Sequence, residues 1–298
     1  MAYLLAALTG GFFLFNSLAT PQRASRAVES ALRKRFAGAQ VRADLRGKRG
    51  RDVLGGRFQS AHVEMSGFTF GQGLQLQVVP SAKNMGRVGR FELELSDFGW
   101  HGFHIAQAQM SLDNLLLDWK ALRKGSQLKL VSSSDPGVPR TQGRLRLVLG
   151  QDALQAWVRE KYPELENVRV ALASDRGIRV KGTRALLGAA LPFEMSGHLE
   201  LSRGRVLEVR DPLVSAGGAP LSGPLATTFT RGLSSLFEID PNGTWPLAIS
   251  QTSLKVQEEA GAPALVLEAA IALKPVAQIK PAELKPAELK PAPERNPT

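Results

Sequence analysis

A chain of 298 residues with 43% apolar side chains can bury a substantial core, as one large β-rich domain or two ordinary ones. Aromatics make up only 6%, so that core must be built mostly from Leu, Val and Ala. The absence of cysteine excludes disulfides, thiolate metal sites and cysteine nucleophiles, and a net charge of +11 points to anionic partners.

Residues 2–19 carry no charge and are about long enough to cross a bilayer, where roughly 20 residues are needed. Ser17 and Ala19 form an A-x-A-like site, so the segment reads either as a cleaved export signal or as an uncleaved anchor. Export, with the domain on the periplasmic side, is the favoured expectation. The segment Arg23–Arg57 then holds eleven cations (Arg23, Arg26, Arg33, Lys34, Arg35, Arg42, Arg46, Lys48, Arg49, Arg51, Arg57) against Glu29, Asp44 and Asp52. An apolar run joined to a cationic one suggests work at a membrane surface.

Thr20-Pro21 is a helix start, a hydroxyl N-cap followed by proline at the first helical position. Ala24, Ala27, Val28, Ala31, Leu32 and Phe36 recur at helical spacing, and Gly38 ends the helix. This stripe is mostly alanine, which suits packing on a sheet better than insertion into lipid. From Gln40 the period changes to two: Val41/Ala43/Leu45, Ala61/Val63/Met65, Leu74/Leu76/Val78, Phe91/Leu93/Leu95 and Ala106/Ala108/Met110/Leu112. Such alternation predicts antiparallel strands with one buried and one wet face, separated by turns at Gly55-Gly56, Gly71-Gln72-Gly73, Pro80-Ser81, Gly86 and Gly99.

Asp113–Leu122 reads as a short helix, and Ser132–Gly137 as the clearest loop, so two halves could meet near 132–140. The second half repeats the grammar: a strand at Leu145–Leu149, a helix from Gln151 to Tyr162, and strands at Val168–Ala173, Ile178–Lys181, Leu191–Leu201 and Val206–Val209. A second helix-like segment spans Leu221–Phe237, with Leu225, Phe229, Leu233, Leu236 and Phe237 on one face, before strands at Leu247–Ile249, Leu254–Val256 and Leu265–Leu273. Glu-Met-Ser-Gly occurs at both 64–67 and 194–197, which coincidence explains more readily than duplication. The expected domain is 20–274, followed by a Lys-Pro-Ala-Glu-Leu tail over 275–298 whose regular prolines forbid helix and ladder.

Chemistry-bearing motifs are scarce. His101 and His104 beside Asp97 could offer zinc two nitrogens and a carboxylate, but no HExxH-type frame surrounds them and a structural turn is the better reading. The glycines form no phosphate loop and there is no G-x-S-x-G. Paired carboxylates such as Glu92/Glu94 and Glu258/Glu259 fit solvated faces. No enzyme, metal or cofactor is expected.

Several stretches resemble the LmeA-like phospholipid-binding family of bacterial envelope proteins. They are the helix Val28-Glu29-Ser30-Ala31-Leu32, the segment Gly55-Gly56-Arg57-Phe58-Gln59-Ser60-Ala61-His62-Val63, the helix opening Leu149-Gly150-Gln151-Asp152-Ala153-Leu154, and Leu191-Pro192-Phe193 with Gly197-His198-Leu199-Glu200-Leu201. The resemblance covers about residues 25–275 and implies phospholipid binding without catalysis. It also implies an α+β fold, a long curved antiparallel sheet wrapped around amphipathic helices to leave a lipid groove, akin to tubular lipid-binding domains.

On that reading acyl chains would lie in an apolar groove lined by Val28, Leu32, Phe36, Val63, Met65, Leu93, Leu225, Phe229 and Leu233. Arg42, Arg46, Lys48, Arg49 and Arg51 would meet an anionic headgroup. The partners expected are thus an anionic phospholipid and a membrane surface. Nucleic acid is not, because no aromatic stacking face accompanies the basic run. The alternative is a membrane-tethered scaffold whose sheet is closed and dry.

Overall fold

A computed structural model describes residues 20–47, 52–53, 55–69, 77–82, 85–100, 102–118, 129–133, 135, 137–186, 189–202, 206–223, 226, 235–238 and 246–275. The apolar run 2–19, the tail beyond 275, Lys48, Arg49, Arg51, His101, Leu225, Phe229 and Leu233 lie outside them.

The order of elements is α1 (Pro21–Arg35), β1 (Gln40–Arg46), β2 (Arg57–Thr69), β3 (Gln77–Val79), β4 (Met85–Trp100), β5 (Phe103–Asp118), β6 (Lys129–Val131) and β7 (Gln142–Gly150). There follow α2 (Gln151–Lys161), β8 (Leu165–Leu172), β9 (Gly177–Leu186), β10 (Ala189–Ser202), β11 (Val206–Ala216), β12 (Ala219–Pro220), β13 (Ser235–Glu238), β14 (Leu247–Glu259) and β15 (Ala262–Leu273). Nine strands form one sheet along the path β1-β2-β4-β5-β7-β15-β14, with β3 and β6 attached beside β5. Six form a second along β12-β11-β10-β9-β8, with β13 on β11.

This overturns the expected α+β class. Among the described residues strand makes up 67% and helix 15%, in two helices and two sheets, so no single sheet wraps around helices. The helices lie along sheet edges instead, α1 on β1 and α2 on β8. Two local readings fail for the same reason. Asp113–Leu122 was expected to be helical, yet β5 runs on to Asp118, with Leu115, Leu116 and Leu117 all buried. Three consecutive leucines fit a strand covered on both faces as well as a helix, and pairing of Leu117 with Leu130 decides for strand. In Leu221–Phe237, Ser235–Glu238 pairs with β11, Leu207 opposite Phe237, so the end of that segment is strand rather than helix. The first-half strands are also not a pure antiparallel meander: β2 and β4 run parallel, Val63 beside Leu93.

Period-two patterning nevertheless dictates the packing. Val41, Ala43, Leu45, Ala61, Val63, Met65, Phe91, Leu93, Leu95, Ala108, Met110, Leu112, Leu145 and Leu147 all face inward and are buried. One apolar cluster continues from these through Val168, Val180, Phe193, Met195 and Leu199 of the second sheet. On the outward face of the first sheet, Val148, Ala264 and Val266 form a small separate cluster.

The long strands keep their apolar set on one face only by re-phasing. In β2 the buried positions change from Ala61, Val63 and Met65 to Phe68; in β4 from Phe91, Leu93 and Leu95 to Phe98 and Trp100. β5 shifts between Ile105 and Ala108 at the same level, because Ser96 pairs with Gln107 and Phe98 with Ile105. Gly67 (φ 68°) and Asp97 (φ 52°) take the left-handed conformation at this row. Aligned irregularities of this kind bend a sheet and raise its local twist. Beyond the bend the interior becomes aromatic: Phe68 stacks on Phe98 with centroids 5.5 Å apart, and Phe36 meets the edge of Phe68 at 5.2 Å.

Candidate functional site

The cationic edge begins at α1. Thr20 caps the helix, its Oγ1 accepting from the Arg23 N–H at 3.4 Å, and Pro21 opens the first turn. Ala24, Ala27, Val28 and Leu32 are buried, while Arg33, Lys34 and Arg35 occupy the last turn, where cations suit the negative end of the helix dipole.

The polar flank of α1 holds β1 through three side chains one turn apart. Leu45 N–H donates to Ser25 Oγ at 3.0 Å, Ala43 N–H donates to Glu29 Oε1 at 3.0 Å, and Arg33 Nη2 donates to the Val41 carbonyl at 2.7 Å. These are the groups that an edge strand otherwise leaves for water or for another chain. Helix α2 repeats the device on β8. Leu172 N–H donates to Gln151 Oε1 at 3.1 Å, Val170 N–H to Gln155 Oε1 at 3.1 Å, and Arg159 Nη2 to the Val168 carbonyl at 3.0 Å.

Of the five expected headgroup cations, Arg42 and Arg46 are described, both exposed on the outward side of β1. Arg46 Nε donates to Asp44 Oδ2 at 2.9 Å, whereas Arg42 makes no ion pair among the described residues. Arg26, Lys34 and Arg35 are likewise exposed and unpaired there. The edge from α1 to β1 therefore keeps uncompensated positive charge.

The expected groove residues sit elsewhere than at a surface. Val28, Leu32 and Val63 are 0% exposed, Leu93 1%, Met65 2% and Phe36 8%, all within the continuous core cluster.

A second aromatic group lies where α2 meets the β4–β5 turn. Trp157 stacks on Phe103 at 4.9 Å, and Tyr162 packs edge-on to Trp157 at 6.3 Å. Lys161 Nζ lies 4.5 Å from the Trp157 ring, and burial lowers its pKa. The Tyr162 hydroxyl is buried without a hydrogen-bond partner among the described residues, and burial, reinforced by Glu164, raises its pKa. His104, weighed from the sequence as a zinc ligand, pairs through Nε2 with Asp97 Oδ1 at 2.9 Å.

Sequence reading missed one constellation. His62, Glu64 and Glu94 present ligand atoms within 4.8 Å of one another on the outward face of β2 and β4. Its only signal was the alternation in His62-x-Glu64 and Glu92-x-Glu94; the parallel pairing that joins the two was not expected.

No family model, no curated protein and no solved structure matches this chain.

Proposed function

We propose that the chain is a non-catalytic phospholipid-binding protein of the cell envelope, tethered or delivered there by its apolar first segment. The observation that carries this reading is one apolar interior continuous across two sheets and bordered by a cationic edge whose guanidinium and ammonium groups include several with no ion pair among the described residues. Burial of aliphatic chain contributes about 0.8 kcal/mol per CH₂, so an interior of Val, Leu and Phe can hold an acyl chain without polar contacts. Arg42 then offers a phosphate bidentate donors that no carboxylate among the described residues already occupies. The test is organic extraction of the purified full chain followed by mass spectrometry, with capture from liposomes as a second arm. Phospholipid near one equivalent supports the reading; none from either arm overturns it.

A second reading, a tethered scaffold with a dry interior, draws on the near-complete burial of Val28, Leu32, Val63, Met65 and Leu93. An interior packed to native density has no room for a ligand. The lipid-free outcome of the same experiment selects it.

A further inference from the structure

We infer that His62, Glu64 and Glu94 form a site for a divalent metal ion of the zinc class, independent of the lipid reading. Parallel pairing of β2 with β4 sets His62 beside Glu92 and Glu64 beside Glu94. Two dipeptide steps on adjacent strands thus make a square of side chains, about 5 Å across the strands and about 7 Å along them. All four project from the outward face, opposite Val63 and Leu93, and the sheet beneath fixes their roots. Such a platform positions ligands more tightly than a loop does.

The electrostatics of the square favour a cation. Glu64 Oε1 lies 3.0 Å from His62 Nε2, and Glu92 Oε2 lies 3.5 Å from Nδ1. Carboxylate oxygens face both ring nitrogens, and a metal ion on Nε2 would replace the proton that a hydrogen bond there requires. Glu92 is drawn aside by Arg90, whose Nε donates to Oε1 at 2.7 Å. Glu94 has no ion pair among the described residues, and Arg42, the cross-strand neighbour of Glu64, pairs with neither glutamate. One imidazole nitrogen and two carboxylate oxygens are thus left close together, with more negative charge than the neighbouring cations offset.

A nitrogen and two oxygens suit zinc and its neighbours, whose bonds to such ligands run about 2.0–2.2 Å. Tetrahedral ligands at that distance stand about 3.4 Å apart, so the three atoms, now within 4.8 Å of one another, would draw together to hold the ion. Three protein ligands leave the fourth position to water or to an anionic ligand. Glu92 is placed to orient the ring through Nδ1, the role that a carboxylate behind a ligating histidine commonly takes.

The experiment is calorimetric titration of Zn²⁺ into the full chain at neutral pH, repeated with Co²⁺ to read coordination from its visible spectrum. One saturable equivalent is expected, with affinity lowered at least about tenfold in both His62→Ala and the near-isosteric Glu94→Gln. His104→Ala should leave it unchanged. All three substitutions lie at exposed or half-exposed positions, and unchanged circular dichroism checks that the fold persists. Absence of saturable binding up to about 1 mM metal overturns the site, as does equal affinity in the wild type and His62→Ala.

Discussion

Glu29 Oε1 accepts the backbone N–H of Ala43 at 3.0 Å, tying the middle of α1 to the middle of an edge strand fourteen residues on. Gln155 holds Val170 in the same way, and each contact is flanked by one from the preceding and one from the following helical turn. Both helices therefore do with polar side chains what a further strand would do with its backbone. The individual contacts differ in burial. The Leu45 N–H held by Ser25 is buried, whereas those held by Glu29 and Gln155 are partly wet. Ser25→Ala leaves a buried donor unpaired and should cost about 1–3 kcal/mol, while Glu29→Ala and Gln155→Ala should cost about 1 kcal/mol or less because water replaces the acceptor. Urea unfolding monitored by circular dichroism separates the two classes.

The bend across β2, β4 and β5 depends on backbone conformation rather than on contacts. Gly67 sits at φ 68° with nothing near a Cβ built on it, so Gly67→Val fails through strain alone and should cost about 1–3 kcal/mol. Asp97 holds φ 52° with a side chain, and Asp97→Gly should be neutral or stabilising by up to about 1 kcal/mol. Gly143 is the opposite case. A Cβ there would stand 1.7 Å from the Ser111 carbonyl oxygen, so Gly143→Ala must force β5 and β7 apart and should cost roughly 4 kcal/mol or more. Thermal melts of the three variants rank these effects directly.

The inward face was legible because alternation states which residues share a side: Val63, Met65, Leu93 and Leu147 are buried as their spacing requires. The start of α1 was legible because Thr20-Pro21 states its own geometry. What sequence could not supply was partnership between distant segments. Nothing in Ala61–Met65 or Phe91–Leu95 says that the two strands run parallel, and so His62 gave no hint of Glu92 and Glu94. Leu115–Leu117 misled for a related reason, since a strand buried on both faces loses the alternation that identifies it. The recurring Glu-Met-Ser-Gly acquires a local meaning. Met65 and Met195 both fill the core, and Gly67 and Gly197 both mark irregular pairing, Gly197 at the shift between Ser196 and His198.

Glu259 carries a pH signature. A hydrogen bond from Gln257 holds its carboxyl below the usual carboxylate range, and Arg146, paired with it, acts in the same direction against the opposing effect of burial. A carboxylate whose pKa is depressed by folding adds stability at neutral pH, and that contribution disappears as pH falls through the carboxylate range. Glu259→Gln should therefore unfold more readily than the wild type at pH 7, by about 0.5–1 kcal/mol for a pair still in contact with solvent. The gap should narrow at about pH 3, below the ordinary glutamate value of about 4.3. Denaturant titrations at both pH values test the sign, and a gap that widens on acidification contradicts it.

Arg42 and Arg46 differ in what a phosphate would meet on approach. Beside Arg46 it encounters the Asp44 carboxylate, 2.9 Å from the guanidinium; Arg42 stands opposite Glu64 across the β1–β2 pair but makes no ion pair among the described residues. If the cationic edge contacts anionic lipid, Arg42→Gln should weaken cosedimentation with phosphatidylglycerol vesicles more than Arg46→Gln does. Both substitutions remove one charge, so a difference between them measures hydrogen-bond availability rather than net charge. The contribution of either should fall as NaCl rises past about 0.1 M, where the screening length is about 10 Å. Vesicles of pure phosphatidylcholine provide the control. Retention on them reports apolar contacts alone, including any made by residues 2–19, and neither arginine variant should alter it. Equal losses for the two variants on anionic vesicles would leave only net charge at work, and Arg42 would then have no special role.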